Sequence, residues 1–214
     1  GIPFTEINDM YLDRYGRLWL TSLRAGIACK AGNNWIAYNV SDSSLPSNSA
    51  FAITGDTLGN VWACLDDYLV KFNGTSRKFY SVDSLGIILA YDMKMATDAS
   101  GRVLIANHCV YAFDGNTVVR YDTANSGLIN DGIYTIKTFP DGKTWIGHRN
   151  HGFTVTDFNT WNYYDTLVAG KPLHGIKAFD ITPDGHYWLG TYSEDIYFYN
   201  GQQWDLIAPE PPAD

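Results

Sequence analysis

Residues 183–192 read PDGHYWLGTY, and the same phrase returns four times upstream: PDGKTWIGH at 140–148, DASGRVLIAN at 98–107, DTLGNVWACL at 56–65 and DRYGRLWLTS at 13–22. The glycines that mark it (Gly16, Gly59, Gly101, Gly142 and Gly185) are 43, 42, 41 and 43 residues apart. Three positions after each glycine stands a large apolar residue: Trp19, Trp62, Leu104, Trp145 and Trp188. A second marker keeps step, at Trp35, Arg77, Val118, Trp161 and Trp204, with Tyr38, Tyr80, Tyr121, Tyr164 and Ile207 three residues further on. Two markers in register five times make the chain a tandem array of a unit of about 42 residues, within the ~40–45-residue range of four-stranded repeats.

Within the second unit the apolar runs are AFAIT, NVWACL, YLVKF and RKFYSV, separated by GDTLG, DD and NGTS. Runs this short, rich in β-branched and aromatic residues and bounded by Gly, Asn and Asp, are strands rather than helices. The glycines supply the positive φ that tight hairpin turns require. No stretch carries a helical period with caps. Four antiparallel strands per unit, repeated, predict a five-bladed β-propeller over residues 1–208, with a five-blade part of a larger propeller as the alternative. The segments GIPFTEI, SLPSNSAFAI, SGLINDGIYTI and GKPLHGIKAF are equivalent, so each unit begins at an innermost strand. Residues 209–214, EPPAD preceded by Pro209, read as a Pro-rich acidic tail.

Composition narrows the partners. The 214 residues include 7 Trp, 15 Tyr and 20 Gly, are 45% hydrophobic, and carry a formal charge of −8. That composition folds, and the charge opposes nucleic acid and anionic membranes. No run is long enough for a membrane helix. The chain starts at Gly1, which reads as a mature or trimmed form. Cys29, Cys64 and Cys109 are too scattered for a disulfide framework and are expected to be free, with Cys64 buried in a second strand and Cys29 and Cys109 on third strands.

The repeated residues have a packing role. The Trp set fills the gaps between units, and Met10, Ile53, Met95, Ile136 and Phe179, equivalent on the inner strands, are expected in the core. Function is expected where the copies differ, in the loops joining second to third strands and one unit to the next. These loops hold Arg24; Asp66, Asp67 and Tyr68; Asn107 and His108; His148, Arg149, Asn150 and His151; and Tyr192, Ser193, Glu194 and Asp195. The loops between units add Asn48, Asn130, Asp131, Lys171 and His174, whereas His186 lies at the other end. From these, Arg24, Asp66, Asp67, Tyr68, His108, His148, Arg149, His151, Tyr192, Glu194 and Asp195 are the candidate ligand-binding set. Flat aromatic side chains stack on sugar rings while Asp, Asn, Arg and His hydrogen-bond hydroxyls, so the expected ligand is a glycan or a fragment of one.

Other chemistries are weaker. His148 and His151 are three apart, but in a loop that spacing does not set two ligands on one face, so no metal and no cofactor is expected. Asp9 and Asp180 are the acids a glycosidase would need, yet they occupy different positions of the repeat. His108, His148 or His151 would be the base of a lyase. No catalytic residue is assigned. A lyase or glycoside hydrolase on the same face, or a scaffold that recruits a protein, remains the alternative to a small-molecule or oligosaccharide binder.

The unit resembles the two-component-regulator propeller repeat, found in periplasmic sensor regions of Bacteroidetes-type hybrid histidine kinases. The resemblance rests on Trp145-Ile146-Gly147, Trp188-Leu189-Gly190-Thr191, Phe72-Asn73-Gly74, Phe113-Asp114-Gly115, Trp35 to Tyr38 and Asn125-Ser126-Gly127-Leu128. Ile181-Thr182-Pro183-Asp184-Gly185 with Trp188 is more weakly similar to streptogramin lyase blades. The resemblance implies a periplasmic, cell-surface or secreted sensor module. It departs from the pattern in having no kinase or response-regulator segment within these residues.

Overall fold

Each repeat is built around one hairpin turn. Gly16, Gly59, Gly101, Gly142 and Gly185 have φ of 73°, 85°, 86°, 81° and 88°. Each donates its N–H to the carbonyl three residues earlier, of Asp13, Asp56, Asp98, Phe139 and Thr182 respectively. This is the three-residue hairpin in which a tight turn is followed by a left-handed residue, and a Cβ at that residue would be strained. In the first three copies an aspartate opens the turn and its side chain staples it. Asp13 accepts the Tyr15 and Arg17 amides at 2.9 Å each, the Arg17 Nε at 2.6 Å and the Trp19 indole N–H at 2.9 Å. Asp56 accepts the Leu58 and Asn60 amides, the Asn60 side chain and, at 2.8 Å, the Trp62 indole. Asp98 holds Ser100 and Arg102 in the same way. The last two copies are different, although their motifs look alike in sequence. Phe139 and Thr182 open those turns, and the Asp of each Pro-Asp pair sits two positions later, where Asp141 accepts only the Lys143 amide among the described hydrogen bonds.

The computed structural model describes residues 1–207 apart from 75, 91, 130, 131, 169, 170 and 194; the expected tail lies outside the described residues. The first sheet holds β1 (Asp9–Leu12), β2 (Leu18–Ser22), β3 (Gly26–Ala31) and β4 (Asn34–Tyr38). The second holds β5 (Ala50–Gly55), β6 (Val61–Leu65), β7 (Tyr68–Asn73) and β8 (Ser76–Ser81), followed by a single helical turn, α1 (Val82–Leu85), capped by Ser81 and Gly86. The third holds β9 (Lys94–Thr97), β10 (Val103–Ala106), β11 (Val110–Phe113) and β12 (Val118–Tyr121), and the fourth β13 (Ile133–Thr138), β14 (Thr144–His148), β15 (Phe153–Thr156) and β16 (Trp161–Tyr164). A two-stranded hairpin, β17 (Thr166–Val168) and β18 (Lys171–Pro172), precedes the fifth four-stranded sheet of β19 (Ile176–Ile181), β20 (Tyr187–Thr191), β21 (Ile196–Tyr199) and β22 (Trp204–Ile207). Strands pair in sequence order throughout. The hairpin makes a sixth sheet among the described residues, which the repeat arithmetic did not anticipate; its Leu167 and Val168 pack onto a core cluster. No helix among the described residues is long and apolar enough to cross a membrane.

The chain forms two compact units, Gly1–Ile105 with Tyr111–Arg120, and Ala106–Val110 with the residues from Tyr121 onward. In the first unit the second-strand indole lies between sheets. The Trp19 ring stacks on Tyr38 at 6.1 Å and meets Phe72 of the next sheet at 5.0 Å. Trp62 repeats this with Tyr80 at 5.6 Å and Phe113 at 5.9 Å. Among the inner-strand apolar residues, Ile53, Met95, Ile136 and Phe179 are buried as expected, but Met10 is 63% exposed. Sheet one is the first of its unit, so no earlier sheet of that unit covers β1. All three cysteines are free and buried. Cys109 is not on a third strand, however, but in the link just before β11. Burial pushes the Cys29 thiol up to about 11 and moves Cys64 in the same direction.

The Asp13 side chain is 2% exposed, and its burial opposes ionisation, but donors from Trp19 and Arg17 outweigh that and hold it below the ordinary carboxylate range. Asp56 is held down likewise, by Trp62 and Asn60 against burial. A depressed carboxyl stabilises the fold above its unfolded pKa of ~3.9 and loses that contribution as pH falls through the lower folded value. Urea unfolding should therefore show stability falling below about pH 4. Asp13→Ala, which strips the acceptor from a buried indole, should cost about 2–4 kcal/mol at neutral pH and flatten part of that acid limb.

Candidate functional site

In the first unit Arg24 projects into solvent, its side chain 85% exposed and 3.8 Å from Glu6. Asp66 is exposed and accepts the Ser47 hydroxyl at 2.6 Å, while also lining a cavity of about 200 Å³ with Phe51, Leu89, Ala90 and Met93. Asp67 is exposed, and its carbonyl receives the Val82 amide. Tyr68 turns inward: it packs on the core of sheets one and two and stands edge-on to Phe79 at 6.2 Å. These four residues form no shared hydrogen-bonded group among the described contacts.

In the second unit His108 and His151 are exposed. His148 is not in a loop. It is the last residue of β14, pairs with Ile133, and is 0% exposed. Its Nε2 lies 2.7 Å from the Thr154 hydroxyl, and its ring stands edge-on to Tyr163. A histidine packed in this way is a polar member of the core. Asp195 is tied to Lys171 at 2.7 Å, and its amide to the Thr191 hydroxyl at 3.1 Å. Glu194, Asn130 and Asp131 lie outside the described residues.

Arg149 and Tyr192 do come together, around two residues that the sequence reading left in the core strands. Tyr134 and Tyr192 stack with ring centroids 6.4 Å apart. The Arg149 guanidinium lies 4.9 Å from the Tyr134 centroid. Lys177 Nζ lies 3.4 Å from the Tyr134 centroid and 5.1 Å from that of Tyr192. Each cation over an exposed ring contributes ~0.5–1 kcal/mol.

Two β-bulges explain the placement. Ile133 pairs with His148 and Thr135 with Gly147, which leaves Tyr134 between them unpaired. Ile176 pairs with Thr191 and Ala178 with Gly190, which leaves Lys177 unpaired at the same point of the next sheet. A bulge re-aims the extra residue away from the strict alternation of a strand. The loops are clamped by the Arg149 amide on Gly132 O at 2.8 Å and the Tyr192 amide on Gly175 O at 2.7 Å. A Cβ on Gly175 would lie 2.8 Å from both the Arg149 carbonyl and the Tyr192 Cβ, so only glycine permits this approach. The sequence does carry a signal. In the aligned segments Gly132-Ile133-Tyr134 and Gly175-Ile176-Lys177 the third residue varies while the first two are constant.

The inner-strand acids do not read as a catalytic pair. Asp9 accepts the Ile53 and Met10 amides, and burial pushes its carboxyl up against those bonds. Asp180 is bonded to Lys137 at 2.5 Å, which pulls its carboxyl down. Each therefore has a local partner of its own.

Residues 1–24 match the family model described as Two component regulator propeller. Among curated proteins, none matches this sequence. The fold is similar to that of virginiamycin B lyase from Staphylococcus aureus, at 10% identity and a TM-score of 0.76 over 99% of this chain and 73% of that one. It is also similar to the extracellular domain of a hybrid two-component system from B. thetaiotaomicron, at 19% identity and a TM-score of 0.72 over 97% of this chain. A one-component system's extracellular domain from B. thetaiotaomicron gives 16% identity and a TM-score of 0.72 over 96% of this chain. The chain spans 29% and 31% of those two domains. The architecture is all-β and propeller-like, and it resembles the two-component-regulator propellers, with a lyase-like echo.

The burial difference between the two nearby histidines is measurable. His148→Ala should lower stability by about 2–4 kcal/mol in urea, since it opens a cavity and strands the Thr154 hydroxyl. His151→Ala, at an exposed position, should stay within about 0.5 kcal/mol of the parent.

Proposed function

We propose that this chain is an exported, non-enzymatic five-bladed β-propeller that binds a glycan, or a fragment of one, on the face of the loops following the second strands. The observation that carries the reading is the convergence of Arg149, Lys177, Tyr134 and Tyr192 at one end of sheets four and five. Tyr192 is 69% exposed, so its ring is available to a ligand. Stacked phenol rings offer flat apolar faces, and two adjacent cations offer charge-assisted donors. Against a net charge of −8, a local pair of cations favours a sugar bearing a carboxylate or sulfate over a neutral one. The likeness to extracellular domains of two-component systems supports a sensing role, in which ligand capture is the first event.

A second reading is favoured by the fold likeness to virginiamycin B lyase, solved with quinupristin. Against it, His148 is buried on Thr154, and no histidine–carboxylate pair is described on this face. Turnover separates the two: quinupristin-derived product accumulating beyond one equivalent of protein would establish the lyase.

For the binding reading the test is a titration with oligogalacturonides and sulfated oligosaccharides. Hydrogen bonds to charged groups contribute ~1.5–3 kcal/mol, so Arg149→Ala and Lys177→Ala should each weaken binding roughly tenfold or more. His186→Ala, in the β19–β20 turn at the other end of the sheet, should leave it unchanged. Loss of binding in His186→Ala alone would place the ligand on the opposite face.

A further inference from the structure

The turn of sheet four keeps the base of the staple and loses its acid. In the first and third turns the residue after the glycine is an arginine bonded to the opening aspartate, Arg17 to Asp13 and Arg102 to Asp98, at 2.6 Å each. In sheet four Lys143 follows Gly142, but Phe139 opens the turn, so the Trp145 Nε1 has no partner and the lysine meets no carboxylate there. Asp141, on the other side of the glycine, accepts only the Lys143 amide among the described hydrogen bonds. Both residues are exposed, and neither side chain has an ion-pair partner among the described residues. In the last turn the same two positions do meet, with His186 Nδ1 3.1 Å from Asp184.

The packing beside this turn has opened a cleft. In the first unit Val61 pairs with Phe72, and Phe72 meets the Trp19 indole of the preceding sheet at 5.0 Å. In sheet five Tyr187 takes the place of Val61 and Tyr199 that of Phe72. The Tyr187 ring lies on the Trp145 indole at 4.8 Å, and Tyr199 stands off against Trp204 at 5.2 Å. On the far face of Trp145 the stack continues through Phe153 at 4.9 Å to Tyr164, a further 5.0 Å on. These rings leave a cavity of about 330 Å³, and Asp141 and Lys143 line it with them.

We propose that this cleft binds a free α-amino acid with an aromatic side chain. Lys143 calls for an anion and Asp141 for a cation. A simple cation in the cleft meets Lys143 and a simple anion meets Asp141, whereas a zwitterion gives each a charge-assisted hydrogen bond. Tyr164, Tyr187, Tyr199 and Trp204 then receive the side chain, and aromatic pairs contribute beyond the area they bury. A cavity of ~150 Å³ holds a benzene ring, so this one holds a ring with the amino-acid backbone attached. Burial first, and the Asp141 charge second, push the Tyr187 hydroxyl up, which sets the carboxylate near the ring wall and keeps the phenol a donor at neutral pH. The cleft is separate from the loop face, since Lys143 precedes β14 and Arg149 follows it, roughly 20 Å apart along the strand.

The test is calorimetric titration of the chain with L-phenylalanine, L-tyrosine and L-tryptophan, with L-alanine as the zwitterion that lacks a ring. For each aromatic amino acid the amine without the carboxylate and the propionate without the ammonium are titrated too. At least one aromatic amino acid should bind saturably with one site per chain, and at least tenfold more tightly than its amine, its propionate or alanine. Lys143→Gln and Asp141→Asn change exposed residues, so the fold survives, and each should weaken that binding about tenfold. Arg149→Ala should leave it unchanged. The proposal is overturned if no aromatic amino acid binds, if alanine or either singly charged analogue binds as tightly, or if Lys143→Gln and Asp141→Asn bind as the parent does. Loss of binding in Arg149→Ala overturns it equally and assigns the amino acid to the loop face.

Discussion

The packing between sheets depends on the coverage of the second-strand indole, which four of the five repeats carry, with Leu104 in its place in the third. A four-stranded antiparallel sheet has two faces, and neither can be left dry alone. Trp19 and Trp62 answer this by lying between one sheet and the next, held at one edge by an aspartate and covered by a Tyr and a Phe. The arrangement couples turn to core. The same carboxylate that closes the hairpin satisfies the buried N–H, so local turn geometry and the docking of the next sheet are one interaction rather than two.

Where that coupling is relaxed, the molecule acquires features that repetition alone would not produce. Phe139 removes the acceptor, and the aromatic stack around Trp145 rearranges into a cleft. At the other end of the same two sheets, bulges of the kind that sheet two also has at Phe51 here carry Tyr134 and Lys177 toward Arg149 and Tyr192. The β17–β18 hairpin is a further departure of this half. In the first unit the turns are stapled by Asp13, Asp56 and Asp98, and its loop residues Arg24, Asp66 and Asp67 remain separate from one another. Regularity is concentrated where packing is at stake, and variation where side chains face a cavity or solvent.

The fold was legible because two periodic signals, a turn glycine and an indole three residues later, are fixed by short-range physics. A left-handed turn residue demands glycine, and a large apolar residue at that strand position is buried only by the neighbouring sheet. Hence strand order, turn positions and most core residues could be read from the chain. Met10 escaped because its exposure depends on which sheet covers β1, a fact of neighbours and not of pattern. Pro-Asp in the last two turns was read as equivalent to the earlier Asp. The two are offset by two residues, and only the hydrogen bonds reveal that the Asp staple is missing from the turn Phe139 opens and is replaced in the last by the Thr182 hydroxyl, which accepts the His186 amide.

The site was legible in part. Arg149 and Tyr192 were named because loops of a repeat differ where packing no longer constrains them. His148 was named for the same reason and is in fact core, because β14 runs one residue further than the motif suggests and Thr154 partners the ring. Tyr134 and Lys177 were passed over because strict alternation assigns them to a strand face, and a bulge is a property of two paired strands together. By itself, then, the sequence determined the repeat, the strands and the turns, since these follow from contacts a few residues apart. Only the tertiary structure decided which loop side chains meet and which buried donor lacks an acceptor. Those outcomes depend on register and packing between segments about 42 residues apart, and no local rule encodes them.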